Sequence, residues 1–261
     1  MEARSLNDIR IISIADRKYY KYLRTMVNSV NINLPGVKVH AYLVNMSDKE
    51  GERLQEIHPN LEYTIEEVKF KFELQKKCYC TNRRSYILHK LREETDDILV
   101  WLDADSLVVK PCPEFLDFVR ECDISYRPKN KSDLTAGHLR RKLKPQGYMA
   151  GVIIVGTSAK ALEFTKEYDR LLSRTSYTKA RLNHNGPIHQ LPKMLKKIWM
   201  SNQDLLSTLR KKFKNDINFV PLPQKYLDCS FSPDTAIWSV KHSNRKDKKF
   251  DEIFQKYKIA I

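Results

Sequence analysis

The chain has 261 residues, 41% hydrophobic and 30% charged, which predicts a soluble globular chain with one sizeable core and excludes a disordered one. No apolar run approaches the roughly 18–20 residues that span a bilayer, and Met1-Glu2-Ala3-Arg4-Ser5 lacks a signal-peptide core, so a cytoplasmic chain is expected. The net charge of +15 suits three partners, namely nucleic acid, anionic lipid or an acidic small substrate, but no nucleic-acid motif accompanies it.

In chain order, Ile9 to Ile14 reads as a first strand. From Asp16 a helix follows, with Tyr19, Leu23, Met26, Val27 and Val30 on one stripe, and Leu34-Pro35-Gly36 stops it. Val37 to Val44 is a second strand. Ser47-Asp48-Lys49-Glu50 has the capping-box pattern of a helix start, and Leu61 to Ile65 is a short third strand. Strand–helix alternation of this kind predicts parallel βαβ units. Arg83 to Leu91 is expected to be helical, with Tyr86, Ile87 and Leu91 as its packed face.

The apolar run Ile98 to Leu102 leads straight into Asp103-Ala104-Asp105, and apolar sequence resumes at Leu107-Val108-Val109. Such a run suits a strand buried on both faces, and its carboxyl end is where open α/β sheets bind ligands. If the segment stays extended, Asp103 and Asp105 point the same way. Two close carboxylates in a half-buried cleft call for a cation, and hard divalent ions take oxygen ligands and phosphates. The plainer alternative is a polar turn at a strand end.

After Pro111-Cys112-Pro113 comes a short helix from Glu114 to Val119, then a strand at Asp123 to Tyr126. Asn130 to Gly147 is polar and basic and reads as a mobile loop. Tyr148 to Gly156 is a second buried strand, and Ala161 to Leu172 an amphipathic helix with Phe164, Tyr168, Leu171 and Leu172 inward. Ser173 to Pro192 shows little periodicity. Ser201-Asn202-Gln203-Asp204 begins a helix carrying Leu205, Leu206 and Leu209. The five cysteines have no framework spacing, so reduced thiols are expected.

These features in this order resemble a GT-A glycosyltransferase, most closely the family 8 type that uses nucleotide-diphosphate sugars, over most of the chain. The resemblance implies an α/β fold: a single domain over 1–261 with a central, mostly parallel sheet flanked by helices. It implies a nucleotide-sugar-binding half at 1–110 and an acceptor-binding half at 111–261 that carries a C-terminal metal and diphosphate segment. Ala15, Asp16 and Tyr19 are similar to the family's uracil and ribose contacts. A helix N-cap is the alternative for Asp16, and a core position for Tyr19. Asp103, Ala104 and Asp105 match the D-x-D that holds a divalent ion on the donor diphosphate. Gly151 matches a glycine near the sugar, or is a close-packing strand glycine.

Asn202-Gln203-Asp204 resembles the family's D-Q-D facing the donor sugar, with Asn202 in place of the first Asp. Gln203 and Asp204 are the catalytic candidates. His242 and Lys248 resemble the family's H-x-x-G-x-x-K, the His as third metal ligand with Asp103 and Asp105, and the Lys on the diphosphate; Arg245 stands where the family has Gly. Arg84, or equally Arg83, matches a basic residue near the nucleotide.

The resemblance thus implies a metal-dependent transferase using Mn2+ or Mg2+. It moves a hexosyl or pentosyl group from a donor such as a UDP-sugar to a glycan, lipid or other hydroxyl acceptor, and leans toward retention. The basic surplus adds peripheral contact with anionic membrane, and no nucleic-acid partner is expected. Two other classes compete. Asp103 to Leu107 brushes the D-x-D-x-[TV] of haloacid-dehalogenase-like phosphatases, although Leu107 departs from it and three strands precede it. A non-enzymatic basic RNA- or membrane-binding protein fits the charge but leaves the paired carboxylates unexplained.

Overall fold

The computed structural model describes residues 8–71, 73–129, 147–182, 202–203, 205–239 and 248–258, with side chains at all of these except 74, 174–182 and 248–250. The element order is β1 (Ile9–Asp16), α1 (Tyr20–Asn33), β2 (Lys38–Val44), α2 (Asp48–Ile57), β3 (Leu61–Glu66), α3 (Glu73–Glu94), β4 (Ile98–Leu102), β5 (Ser106–Val108), α4 (Pro113–Phe118), β6 (Ile124–Pro128), β7 (Tyr148–Val155), α5 (Ala159–Leu182), β8 (Ile237–Ser239) and α6 (Lys248–Tyr257). A further helical stretch covers 205–212.

Six strands form one sheet in the order β3-β2-β1-β4-β7-β6. The pairs β3–β2, β2–β1 and β1–β4 are parallel, and β7 runs antiparallel to both β4 and β6. All residues of β1 and β4 are buried, the unbroken pattern of strands covered on both faces. On one face lie Leu23, Met26, Val27 and Val30 of α1, all fully buried. On the other lie Ile87, Leu88 and Leu91 of α3 with Phe164, Tyr168 and Leu172 of α5. Each such side chain contributes roughly 1.5–3 kcal/mol by leaving water, so the two layers hold the sheet from both sides.

Local signals explain the element ends. Ser47 and Glu50 form the capping box of α2, the Ser47 N–H donating to Glu50 Oε2 at 2.9 Å. Beyond α1, Gly36 has φ +88°, a left-handed conformation that glycine takes without a Cβ penalty, and the chain turns there into β2.

Three expectations need correction. Helix α3 begins at Glu73, well before Arg83, and its packed face is Ile87, Leu88 and Leu91, whereas Tyr86 is exposed. Its first turns are largely polar, and Lys76 pairs with Asp16 at 3.1 Å while Arg83, midway along the helix, pairs with Glu66 at 2.8 Å. Helix α5 runs on to Leu182, past the point where apolar periodicity fades. Finally, Asp103 to Ser106 is a tight turn closed by the Ser106 N–H on the Asp103 carbonyl at 2.9 Å, so the shared direction expected of an extended Asp103 and Asp105 does not apply.

The turn takes the chain out of the large sheet into a two-stranded one, where β5 pairs antiparallel with β8, Ser106 opposite Ser239. Leu107 and Trp238 pack there with Tyr22, Ile253 and Phe254, which ties α6 to α1. Tyr257 completes the tie: its carbonyl accepts from Asn28 Nδ2 at 2.8 Å and its hydroxyl donates to the Val109 carbonyl at 2.9 Å. Among the described residues, no helix is long and apolar enough to cross a membrane.

Candidate active site

Strand order reverses between β1 and β4, because β2 and β3 lie on one side of β1 and β4 on the other. In open α/β sheets a crevice opens at that switch point, outside the carboxyl ends of the strands. Asp16 ends β1, and Asp103 follows the last residue of β4. The fold therefore brings two of the sequence candidates to one edge of the sheet.

Asp16 is 7% exposed and both of its carboxylate oxygens are engaged. Oδ1 accepts the Tyr19 backbone N–H at 3.0 Å at the start of α1, and Oδ2 pairs with Lys76 Nζ at 3.1 Å. Asp16 thus closes the turn before α1 and is not its N-cap, a position that Tyr19 holds. Ala15 is buried in the core, and the partly buried Tyr19 packs against that core with its ring 5.8 Å from that of Tyr22. Burial pushes the nearby Cys80 thiol up to about 12, with the Asp16 charge adding to the shift, so no reactive thiolate forms beside it. No disulfide joins the five cysteines.

The D-x-D turn is built from three elements. The Asp103 N–H donates to the Gly151 carbonyl at 2.9 Å, which fixes the turn to β7. Its Oδ1 accepts from the Trp101 indole N–H at 2.9 Å and pairs with Arg84 Nη2 at 3.2 Å. Ala104 is buried, and Asp105 is half-buried. The pairing of β6 with β7 shifts register here, with Tyr126 opposite Ile153 but Pro128 opposite Tyr148. Such an irregularity re-aims backbone beside a site, and Gly151 lies within it. A Cβ at Gly151 would stand 3.1 Å from Leu227 Cδ1, 3.4 Å from Asp103 Oδ2 and 3.4 Å from Ser239 Oγ. The missing side chain therefore leaves a gap bordered by the second Asp103 oxygen and a serine hydroxyl.

The structure separates the two arginine candidates. Arg84 has 5% of its side chain exposed and joins Asp103, the Thr81 carbonyl at 2.8 Å and the Ala150 carbonyl. Arg83 turns instead to Glu66 Oε1, with Nε at 2.9 Å and Nη2 at 2.8 Å, and stacks 3.7 Å over the Tyr86 ring. Tyr168 is fully buried, and its hydroxyl donates to the Asn202 carbonyl at 3.5 Å. Burial raises its phenol well above the usual tyrosine range, while the Arg84 charge opposes and the Asp103 charge adds to that rise. Asn202 is 2% exposed and Gln203 half-buried. Asp204, His242 and Arg245 lie outside the described residues, as does most of the expected 130–147 loop. Lys248 opens α6, and its side chain is likewise not described.

Sequence reading missed Trp101, Tyr168 and Ser239. Trp101 carried a usable signal, since it lies two positions before Asp103 on a strand and so shares its side. The other two meet the site only through long-range packing. A cavity of about 210 Å³ lined by Ile98, Arg120, Asp123, Ser158 and Asn218 sits at the opposite edge of the sheet, where β4 begins, and is separate from this crevice.

No family model and no curated protein matches the chain. Solved structures do. The glycosyltransferase GlyE of Streptococcus pneumoniae TIGR4 superposes with a TM-score of 0.61 at 13% identity, over 98% of this chain and 61% of that one. The galactosyltransferase LgtC, in complex with donor and acceptor sugar analogues, does so with 0.57 at 13% identity, over 97% and 98%. The bifunctional glycosyltransferase WbbM gives 0.51 at 15% identity, over 87% and 40%. The fold is that of the GT-A glycosyltransferases. The chain spans about three-fifths of the length of GlyE, and its likeness to all three is one of fold.

Proposed function

We propose that this chain is a metal-dependent glycosyltransferase that moves a sugar from a nucleotide-diphosphate donor, a UDP-sugar, to a hydroxyl of a glycan or lipid acceptor. The observation that carries the reading is the D-x-D turn at the switch-point crevice, with Asp103 Oδ2 and Ser239 Oγ bordering the gap over Gly151. The donor set suits a hard divalent ion: two carboxylates, of which Asp103 has a third of its side chain exposed. Ser239 is paired with Ser106, and His242 follows it by three residues in the sequence, which supports His242 as the third ligand beside Asp103 and Asp105.

Mn2+ or Mg2+ bound by these residues supplies positive charge against the negative charge that gathers on the departing diphosphate. The chain's own residues do the rest. Lys248 and Arg245 add cationic donors for the diphosphate. With the Ala15 side chain buried and the Asp16 carboxylate engaged by Tyr19 and Lys76, these two residues meet the nucleoside end through their backbone, and Tyr19 offers its ring. Asn202 and Gln203 offer amides that hydrogen-bond sugar hydroxyls and hold the anomeric carbon toward the acceptor. Asp204 adds a carboxylate for the transfer, and the family resemblance favours retention. The acceptor oxygen forms a bond to the anomeric carbon as the bond from that carbon to the diphosphate oxygen breaks, and the acceptor proton passes to solvent or to the diphosphate.

The test is a thermal-shift screen of UDP-, GDP- and dTDP-sugars with Mn2+, followed by assay of sugar transfer and donor hydrolysis with the donors that bind. Stabilisation by a UDP-sugar that requires the metal, with turnover lost in chelator, is the expected result. Full turnover in chelator, or release of phosphate from phosphomonoesters with no nucleotide-sugar binding, defeats the reading.

A further inference from the structure

Asp103 has two chemically equivalent oxygens, but the protein treats them differently. Oδ1 receives the Trp101 indole N–H at 2.9 Å and Arg84 Nη2 at 3.2 Å. The Arg84 guanidinium also stands 5.2 Å over the Trp101 ring, so indole, guanidinium and carboxylate close a triangle. Arg84 is held on its other nitrogens, by the Thr81 carbonyl at 2.8 Å in α3 and by the Ala150 carbonyl in β7. Both donors are almost fully buried, with Trp101 1% and Arg84 4% exposed, so neither swings away at low cost. Oδ2 lies on the Gly151 side, 3.4 Å from where a Cβ of that residue would stand, and a third of the Asp103 side chain is exposed.

We infer that Trp101 and Arg84 are positioning residues that seize Asp103 by Oδ1 and thereby present Oδ2 alone to the bound divalent ion. This rests on the metal-dependent reading above. It gives Arg84 a role distinct from a direct nucleotide contact, because its guanidinium is spent on the turn, on α3 and on β7. A ligand carboxylate held in this way keeps one orientation whether or not the cation is present, so its ordering cost is met by the fold. Outer partners of metal ligands act in this manner, and their loss weakens metal affinity about 10–100-fold.

The experiment is Mn2+ titration of the folded protein by electron paramagnetic resonance, alone and with UDP, on wild type, Trp101→Phe and Arg84→Lys. Trp101→Phe keeps an aromatic ring and removes the N–H. Both variants should bind Mn2+ about tenfold or more weakly, with and without UDP, while UDP alone binds as in wild type. Arg84→Lys supplies the result if Trp101→Phe does not fold. A readout independent of the metal comes from the indole N–H signals. The chain has three tryptophans, and the signal absent from Trp101→Phe is that of Trp101. In wild type it should resist solvent exchange, and Asp103→Ala should move it and remove that protection. An unmoved indole signal in Asp103→Ala overturns the inference, and so does Mn2+ binding in Trp101→Phe equal to wild type. A direct nucleotide role for Arg84 would show instead as weaker metal-free UDP binding in Arg84→Lys only. Wild type that binds no Mn2+ at all defeats the metal reading itself, which is a different result from unchanged binding in the variants.

Discussion

Substitution at Gly151 separates packing from ligand space, because the two sit at different distances from the missing side chain. A Cβ there would stand 3.1 Å from Leu227 Cδ1, closer than the roughly 3.5–4.0 Å at which carbon pairs rest. Leu227 is fully buried, so the tip of its side chain must give by several tenths of an ångström. Gly151→Ala therefore costs at the low end of the ~1–3 kcal/mol seen for overpacked cores. The same Cβ would sit 3.4 Å from Asp103 Oδ2, an ordinary contact, so Ala narrows the gap without closing it. Gly151→Val adds two further carbons in the space that Oδ2 and Ser239 Oγ border, and it should abolish Mn2+–UDP binding. Urea denaturation measures the first effect and calorimetric titration the second. A folded Gly151→Val protein that binds Mn2+ and UDP like wild type would refute the placement of the site over Gly151.

Stability should fall in mild acid through His40. Its pKa is lowered from 6.5 to about 4 by burial first and then by the Arg10 and Lys90 charges, against the pull of Glu62. The unfolded chain thus takes up a proton that the folded one refuses, so stability is complete above about pH 6.5. It declines by ~1.4 kcal/mol per unit down to about pH 4, a total of ~3 kcal/mol. Urea midpoints across that range in wild type and His40→Gln test this, and equal slopes would exclude His40 as the source. Asp105→Asn should lower transfer by several orders of magnitude, since metal charge stabilisation is worth several kcal/mol and each ~1.4 kcal/mol is tenfold. His242→Ala should weaken Mn2+ binding and recover activity in excess Mn2+, whereas Asp204→Asn should spare metal binding and damage transfer; turnover titrations with Mn2+ decide both. UDP should bind more tightly than GDP or dTDP by calorimetry, and a preference for another base would reject the roles of Ala15, Asp16 and Tyr19.

Much of this protein was legible one element at a time. The buried runs of β1 and β4, the apolar stripe of α1 and the capping box at Ser47 are each complete within a few residues, so the chain alone announces them. The same holds for the order of strands and helices, and for two carboxylates placed after a fully buried strand. Composition and spacing thus determined the α/β layering and the chemical inventory of the crevice.

Tertiary structure decided what those residues face. Arg83 and Arg84 are neighbours about 100° apart around a helix, and only the way α3 lies on the sheet sends one to Glu66 and the other to Asp103. The start of α3 is largely polar in sequence, and only in the fold do Tyr79 and Cys80 pack on the core and Lys76 and Arg83 pair with Asp16 and Glu66 from other elements. Asp103 to Ser106 turns rather than extends because β5 leaves the large sheet to pair with β8, whose partner residue Ser239 lies far along the chain. Periodicity and caps are interactions among near neighbours, so they are written locally. Which oxygen of Asp103 is held by Trp101 and Arg84 and which lies toward Gly151 depends on groups from α3, β4 and β7 meeting in space, and no local pattern encodes that meeting.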